Sequence, residues 1–464
     1  MASAESVRSH SLELKKELGL RDLILTQIMY VVGTGWVGTA AKLGNQQIFF
    51  WLAAIAMFYA PQAAVVIYLN RRMPLEGGLY QWAKLGFNDF VGFLVGWNLW
   101  LYVILIVATF GLGIAASLGY ALGSQELGGN KGFILLVTCS LVLFLTTVTT
   151  LGLGVGKWFQ NAGGLGILLA FGTLILLPFL GLHRDSIRAY HPLALEAPAI
   201  SLLSLNIFGK MSMGAFSGFE YVAILAGECK NPARNIGRSV LIASPIIALM
   251  FILGTSAVLA FVSPDQVDLV GPIPQVLTVA LGRFRWVGLI APVAIMLLVG
   301  RQIGNSTLSV AGSTRLPMVA GWDHLLPQWF SQLHPKYKTP VNSILFVGTM
   351  ILVLSLLGIT GVGEQEGFQI LDNAAGVFYG ISYLAMFALP ILGLRHIQPA
   401  PPLWLRAAAA SGFLVTLLYC VLSMLPIIQV ASWLSFSLKI GGVIVGANLL
   451  GASLYWIEQR KRPG

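Results

Sequence analysis

The stretch MYVVGTGWVGTAAKLG, residues 29–44, begins inside an apolar run long enough to cross a bilayer, yet it gathers Gly33, Thr34, Gly35 and Gly38. Hydrocarbon offers no partner to a free backbone N–H or C=O, so irregular backbone at membrane depth persists only where protein buries it or where it lines a cavity. Glycine is also the poorest helix former after proline. The cluster therefore predicts a helix interrupted on purpose, and the rest of the chain has to supply the purpose.

The 464 residues are 56% hydrophobic and 10% charged, with a mean hydropathy of +0.80. Soluble domains carry roughly a quarter charged residues, so the chain reads as an integral membrane protein. Apolar runs of roughly 20 residues, the length of a spanning helix, recur along it. They predict about twelve spans, at about 22–43, 46–69, 90–121, 132–151, 157–181, 200–226, 239–262, 286–311, 341–359, 367–393, 404–427 and 438–457. The alternation of an outer-membrane barrel, about ten residues per strand, is absent from the sequence. The breaks at 70–89, 182–199, 263–285 and 312–340 read as loops, the third with a short surface helix.

The formal charge of +10 is no nucleic-acid signature, because of where the bases fall. With the N-terminus in the cytoplasm, Lys15, Lys16, Arg71, Arg72, Lys230, Arg234, Arg238, Arg315, Lys336, Lys338 and Arg460 all lie on the inner side, as the positive-inside rule requires. This places both termini in the cytoplasm of a multi-pass protein of the cytoplasmic membrane. The first 21 residues carry acids and bases but no apolar core, so no cleaved signal peptide is expected. Cys139, Cys229 and Cys420 are scattered and read as packing residues. The histidines fall in the tail or loops without metal-ligand spacing. No G-x-S-x-G elbow and no Walker loop occurs. Neither an enzyme nor an ATP-driven pump is expected, and no metal or cofactor.

A second interruption matches the first. The sixth run contains MGAFSGFEYVAILAG, residues 213–227, with Gly214 and Gly218. Interrupted spans five helices apart point to an inverted-repeat transporter with its site between the repeats. The expected organisation is a cytoplasmic tail (1–21), a first repeat of five spans (22–181), an outer loop and second repeat (182–393), and two final spans with a basic cytoplasmic tail (394–464). Backbone N–H groups freed at a half-helix N-terminus suit a carboxylate. Carbonyls freed at the other half-helix suit an ammonium. Two such breaks facing each other would grip a zwitterionic amino acid by its backbone. Close packing through small residues is the competing explanation.

Four further groups stand out. Glu220 lies deep in the sixth run, whereas Asp22, Asp89 and Asp372 sit at the edges of theirs, and an ionisable group in a membrane span is a functional candidate by default. It reads as a proton carrier or gate latch, or as a structural carboxyl bonded to loosened backbone. Lys210, Arg301 and Lys42 face the outer half: they line a vestibule for an acidic amino acid, pair with Glu220, or snorkel to headgroups. Asn305, Ser306, Thr307 and Ser309 offer the hard oxygens a sodium ion prefers, Ser306 and Thr307 above all, though such hydroxyls also bond neighbouring backbone. Trp36, after the second glycine, either narrows the pocket, stacks on a ligand or packs against a helix.

Three segments together resemble the amino acid–polyamine–organocation (APC) permeases. GAFSGFEYVAILAGECKNPARNIGRSV (214–240) is similar to their sixth-helix signature. EGGLYQWAKLGFNDFVGFLVGWNLWL (76–101) resembles their approach to the third helix. STRLPMVAGWDHLLPQWFSQLHPKYKTPVNS (313–343) resembles their loop after the eighth. The resemblance implies a leucine-transporter-type fold working by alternating access. It implies that Gly33, Thr34 and Gly35 present backbone to a substrate carboxylate. It further implies that Ala215, Phe216 and Gly218, with Ser217 among them, meet the amino group, and that Phe216 closes over it. Trp36 and Val37 depart from the family pattern. Some members carry a lysine in the fifth helix in place of sodium; WFQNAGGLGILLAFGT (158–173) has none. The expected function is secondary transport of an amino acid or amine, proton-coupled or by exchange. Sodium symport through the same fold and a non-transporting amino-acid sensor are the alternatives.

Overall fold

The computed structural model describes residues 14–179, 195–269, 271–281, 290–359, 364–393, 400–426 and 432–460. Most of the loop expected at 182–199 and the last four residues of the basic tail lie outside them. Among the described residues the protein is helical, with one isolated strand-like pairing, Leu18 alongside Cys229. Nine helices among the described residues are long and apolar enough to cross a membrane, and a bent pair makes ten. The two remaining expected spans are also helical: the sixth is broken into short pieces and the ninth is Val341–Ile359. The chain is thus a multi-pass helical membrane protein.

The first span is two helices, Leu20–Val31 and Thr34–Ala41, bent by 41°. Val32 and Gly33 between them are extended, with ψ of 90° and 132°. The sixth span runs as Leu202–Gly209, a wide π-turn over Lys210–Ala215, then a 3-10 segment over Tyr221–Glu228. Gly218 in the gap has φ +127°, a conformation open essentially only to glycine. A Cβ there would also meet the Tyr30 ring at 2.7 Å.

The remaining spans form a stiffer frame. In the second, Gly44–Arg72, a π-turn over Ile55–Tyr59 precedes Pro61. Proline has no N–H to give the carbonyl four residues earlier; Ser411 Oγ donates to that Met57 oxygen at 2.8 Å instead. Asn88 and Asn130 cap the third and fourth spans, Asp89–Leu122 and Lys131–Leu151, by accepting from Val91 N–H and Phe133 N–H. The fifth, Leu153–Leu176, packs closely on the first and eighth through glycines. A Cβ on Gly164 would sit 2.8 Å from the Leu25 carbonyl oxygen, and one on Gly166 3.0 Å from that of Leu297.

The eighth helix, Ile290–Trp322, differs from expectation. It continues through residues 312–322, assigned above to a loop, despite Pro317. Ser313 and Thr314 bond back to the Val310 and Ala311 carbonyls of their own helix, and Ser343 Oγ donates to the Thr314 carbonyl from the ninth. The extension carries Arg315 to the end of the bundle. The helix expected within 263–285 is Pro272–Leu281, but it is not a surface helix: most of its residues are buried, and Thr278 and Val279 are the exposed ones.

Candidate functional site

Two cavities lie where the broken spans meet. The larger, about 170 Å³, is lined by Gly33, Thr34, Gly35 and Trp36 of the first span, and by Lys210, Arg301, Gln302, Gln369 and Asp372. Ser117, Leu269 and Pro274 continue it toward the end of the bundle opposite the N-terminus. The smaller, about 40 Å³, is lined by Met213, Gly214 and Ser217 of the sixth span with Tyr102, Gly376, Tyr379 and Tyr419. Trp36, Ile106 and Asp372 line both. The first break therefore faces one cavity and the sixth the other.

Each cation has an unexpected partner. Arg301, 5% exposed, donates from Nη1 to the Met29 and Val32 carbonyls, at 3.1 and 2.9 Å. These are the oxygens released where the first span breaks. Ser306 and Thr307 turn inward on their own helix, donating to the Gln302 and Gly304 carbonyls. The Ser306–Thr307 hydroxyls and the first-span carbonyls, the two halves of a sodium cage, thus both have protein partners. Lys210, 3% exposed, donates to Asn373 Oδ1 at 2.7 Å beside Asp372. Lys42 reaches only the Asp265 carbonyl, at 3.5 Å.

Glu220 pairs with neither Lys210 nor Arg301. Its carboxylate accepts from Tyr379 and Tyr383 hydroxyls, one on each oxygen. Tyr383 in turn accepts from the Gly218 N–H at 2.8 Å. Gln62 Nε2 donates to the same Tyr383 hydroxyl at 2.6 Å. The sixth break is thus bound to the second and tenth spans through one polar knot. Phe216, expected to close over the amino group, is wholly buried, stacked on Tyr59 at 4.2 Å and set edge-on to Trp51 and Phe251. Ala215 is equally buried.

Sequence reasoning missed Asp372, Asn373, Gln62, Tyr379 and Tyr383. The tyrosines' spacing of four residues, which puts both on one helix face, was the available signal. Asp372 read as a span-edge residue because hydropathy set the edge, whereas the helix begins at Glu364.

The end carrying the N-terminus is sealed. Glu17 and Leu18 N–H groups donate to the Glu228 carbonyl, and Lys230 N–H to that of Leu18. Lys16 donates to the Gly227 carbonyl. Arg315 pairs with Glu228 at 2.9 Å, Lys84 with Asp323 at 2.6 Å, and Lys157 with Glu17 at 3.0 Å. Glu76, in the connection after the second span, accepts from Gly227 N–H at 2.5 Å. Burial, reinforced by Glu228, pushes its carboxyl up to about 8, against the opposing pull of Arg315, the Gly227 N–H and Lys16.

Residues 18–446 match the sequence model of a family described as amino acid permease. A transporter of Legionella pneumophila, described as uncharacterized, is 26% identical over 84% of this chain and 83% of its own. The branched-chain amino acid permease BcaP of Bacillus subtilis is 25% identical, covering 97% and 94%. A probable agmatine/putrescine antiporter of Lactococcus lactis is 24% identical, covering 89% and 87%.

Proposed function

The chain belongs to the amino acid permease family, and from that premise we propose that it carries an amino acid or related amine across the cytoplasmic membrane by alternating access. The observation that carries the reading is the pair of broken spans facing cavities at the centre of the bundle, with one end of the molecule sealed. On this reading the spans form a five-plus-five inverted repeat with two final helices, and the sealed end is cytoplasmic. The cavity of about 170 Å³ then opens outward. Backbone N–H groups at Thr34 and Gly35 begin the second half-helix and carry its positive dipole end, which suits the substrate carboxylate. The amino group goes to the sixth break near Ser217. Lys210 and Asp372 flank the side chain.

Exchange or proton coupling is favoured over sodium. Arg301 already supplies a fixed cation to the Met29 and Val32 carbonyls, and Glu220 is the buried carboxyl within reach of the moving segment. Counterflow in proteoliposomes tests the whole reading. Preloaded amino acid should accelerate uptake of labelled amino acid with no sodium present, and an imposed pH gradient separates proton coupling from exchange. Binding of an amino acid by folded protein with no saturable uptake would establish the sensor alternative instead.

A further inference from the structure

The Trp36 indole lies between the two breaks, and with Ile106 and Asp372 it lines both cavities. A Cβ on Gly33 would lie 2.5 Å from its Cδ1 and 2.6 Å from its Nε1, and a Cβ on Gly214 would lie 2.5 Å from its Cη2. The pyrrole edge thus lies over the first break and the benzene edge over the π-turn of the sixth. Both positions must be glycine for the indole to fit between them. The half of the site with Thr34 and Gly35 faces one cavity, and the half with Gly214 and Ser217 faces the other. The carboxylate and amino group of one amino acid are joined through a single carbon, so one molecule cannot reach both halves through the ring.

We propose that Trp36 is a movable partition inside the substrate site, and that its displacement joins the two cavities as substrate enters. This rests on the amino-acid-transport reading and adds a size rule to it. Among the described residues no hydrogen bond restrains the indole N–H, so the ring is held by contact alone and can turn without leaving a polar group unpaired. It can turn only into the larger cavity, since about 40 Å³ on the other side is too small for it. Once there it occupies room that a bulky substrate side chain would need. The substrate class is therefore amino acids with small side chains, and Trp36 sets that limit.

The test uses Ser217→Cys, a conservative change on the far side of the ring, in full-length protein with and without Trp36→Ala. A small, membrane-impermeant thiol reagent should label the introduced thiol at least tenfold faster once the indole is gone, with the Ser217 parent as the control for native cysteines. Transport of leucine relative to alanine should rise at least tenfold in Trp36→Ala. Equal labelling rates in folded proteins overturn the partition, whatever transport shows. Faster labelling with no transport of any amino acid by the protein that keeps both Trp36 and Ser217 sustains the partition and overturns the transport reading. Should Trp36→Ala fail to fold, Trp36→Phe should give an intermediate rate, and a rate equal to the parent's overturns the proposal equally.

Discussion

Arg301 shows how much one side chain decides. A guanidinium presents donors in a rigid fork and stays charged at any physiological pH; here two released carbonyls of the first span take one of its nitrogens. Removing it in Arg301→Ala takes the charged donor from both oxygens, a loss of about 1–3 kcal/mol. The melting temperature should fall by several degrees. The same variant frees the site for a metal cation, so sodium should raise its melting temperature while leaving the parent's unchanged; equal responses would disprove the fixed-cation reading. Glu220 offers a parallel case. Two tyrosine hydroxyls donate to its two oxygens, and Glu220→Gln offers only one acceptor. We expect a loss of about 1–3 kcal/mol. Tyr383→Phe should cost much less when combined with Glu220→Gln than it does in the parent, a coupling that a thermal-denaturation double-mutant cycle measures.

At the scale of elements, the two broken spans were legible because glycine clusters are conspicuous in apolar runs. The physics that reveals them also predicts what replacing them does. Gly218→Ala puts a Cβ at φ +127° and against Tyr30, a conformation costing about 1–3 kcal/mol before the clash is counted. Binding measured by thermal shift should be lost even where folded protein is recovered. Gly35→Val should likewise abolish binding, since its side chain would meet the Leu269 carbonyl, already 3.2 Å from a Cβ; unchanged affinity would mean that the break merely packs helices. Less legible was what each break touches. Hydropathy counts Phe216, Tyr379 and Tyr383 alike as apolar bulk and carries no information on helix rotation. The family resemblance gave Phe216 a role over the substrate and no hint of its packing among Tyr59, Trp51 and Phe251. Neither source revealed the partners of Glu220. The eighth helix outran its apolar run because side-chain bonds, invisible to hydropathy, sustain the polar end containing Arg315.

For the whole molecule, the sealed end is a titratable closure. Glu76 is held near 8 while buried against Glu228, and returns toward its usual 4.5 once that end opens to water. A carboxyl raised in the closed form favours closure fully below the lower value, and the advantage drains away as pH rises through the upper one. Between them the closed-to-open ratio should fall by up to about tenfold per pH unit. Raising pH from 6 to 9 should therefore loosen the sealed end, read as faster thiol labelling of the buried Cys229. Glu76→Gln should hold the closed behaviour throughout, with rates compared per thiolate because burial and the Glu76 charge both raise the Cys229 thiol. A Glu76→Gln profile matching the parent's would refute the assignment.

The ion pairs at that end have a subtler consequence. Arg315 with Glu228, and Lys84 with Asp323, are almost stripped of water, with side chains 2–7% exposed. Charges so desolvated hold a debt of hydration that nearly cancels their mutual attraction. Parting them returns that hydration, so these two pairs add little to the free energy of closing that end. Salt barely reaches buried charges, so ionic strength should hardly tilt the equilibrium. What the two pairs contribute there is alignment of the facing segments rather than strength, since a pair broken on one side only would strand a buried charge.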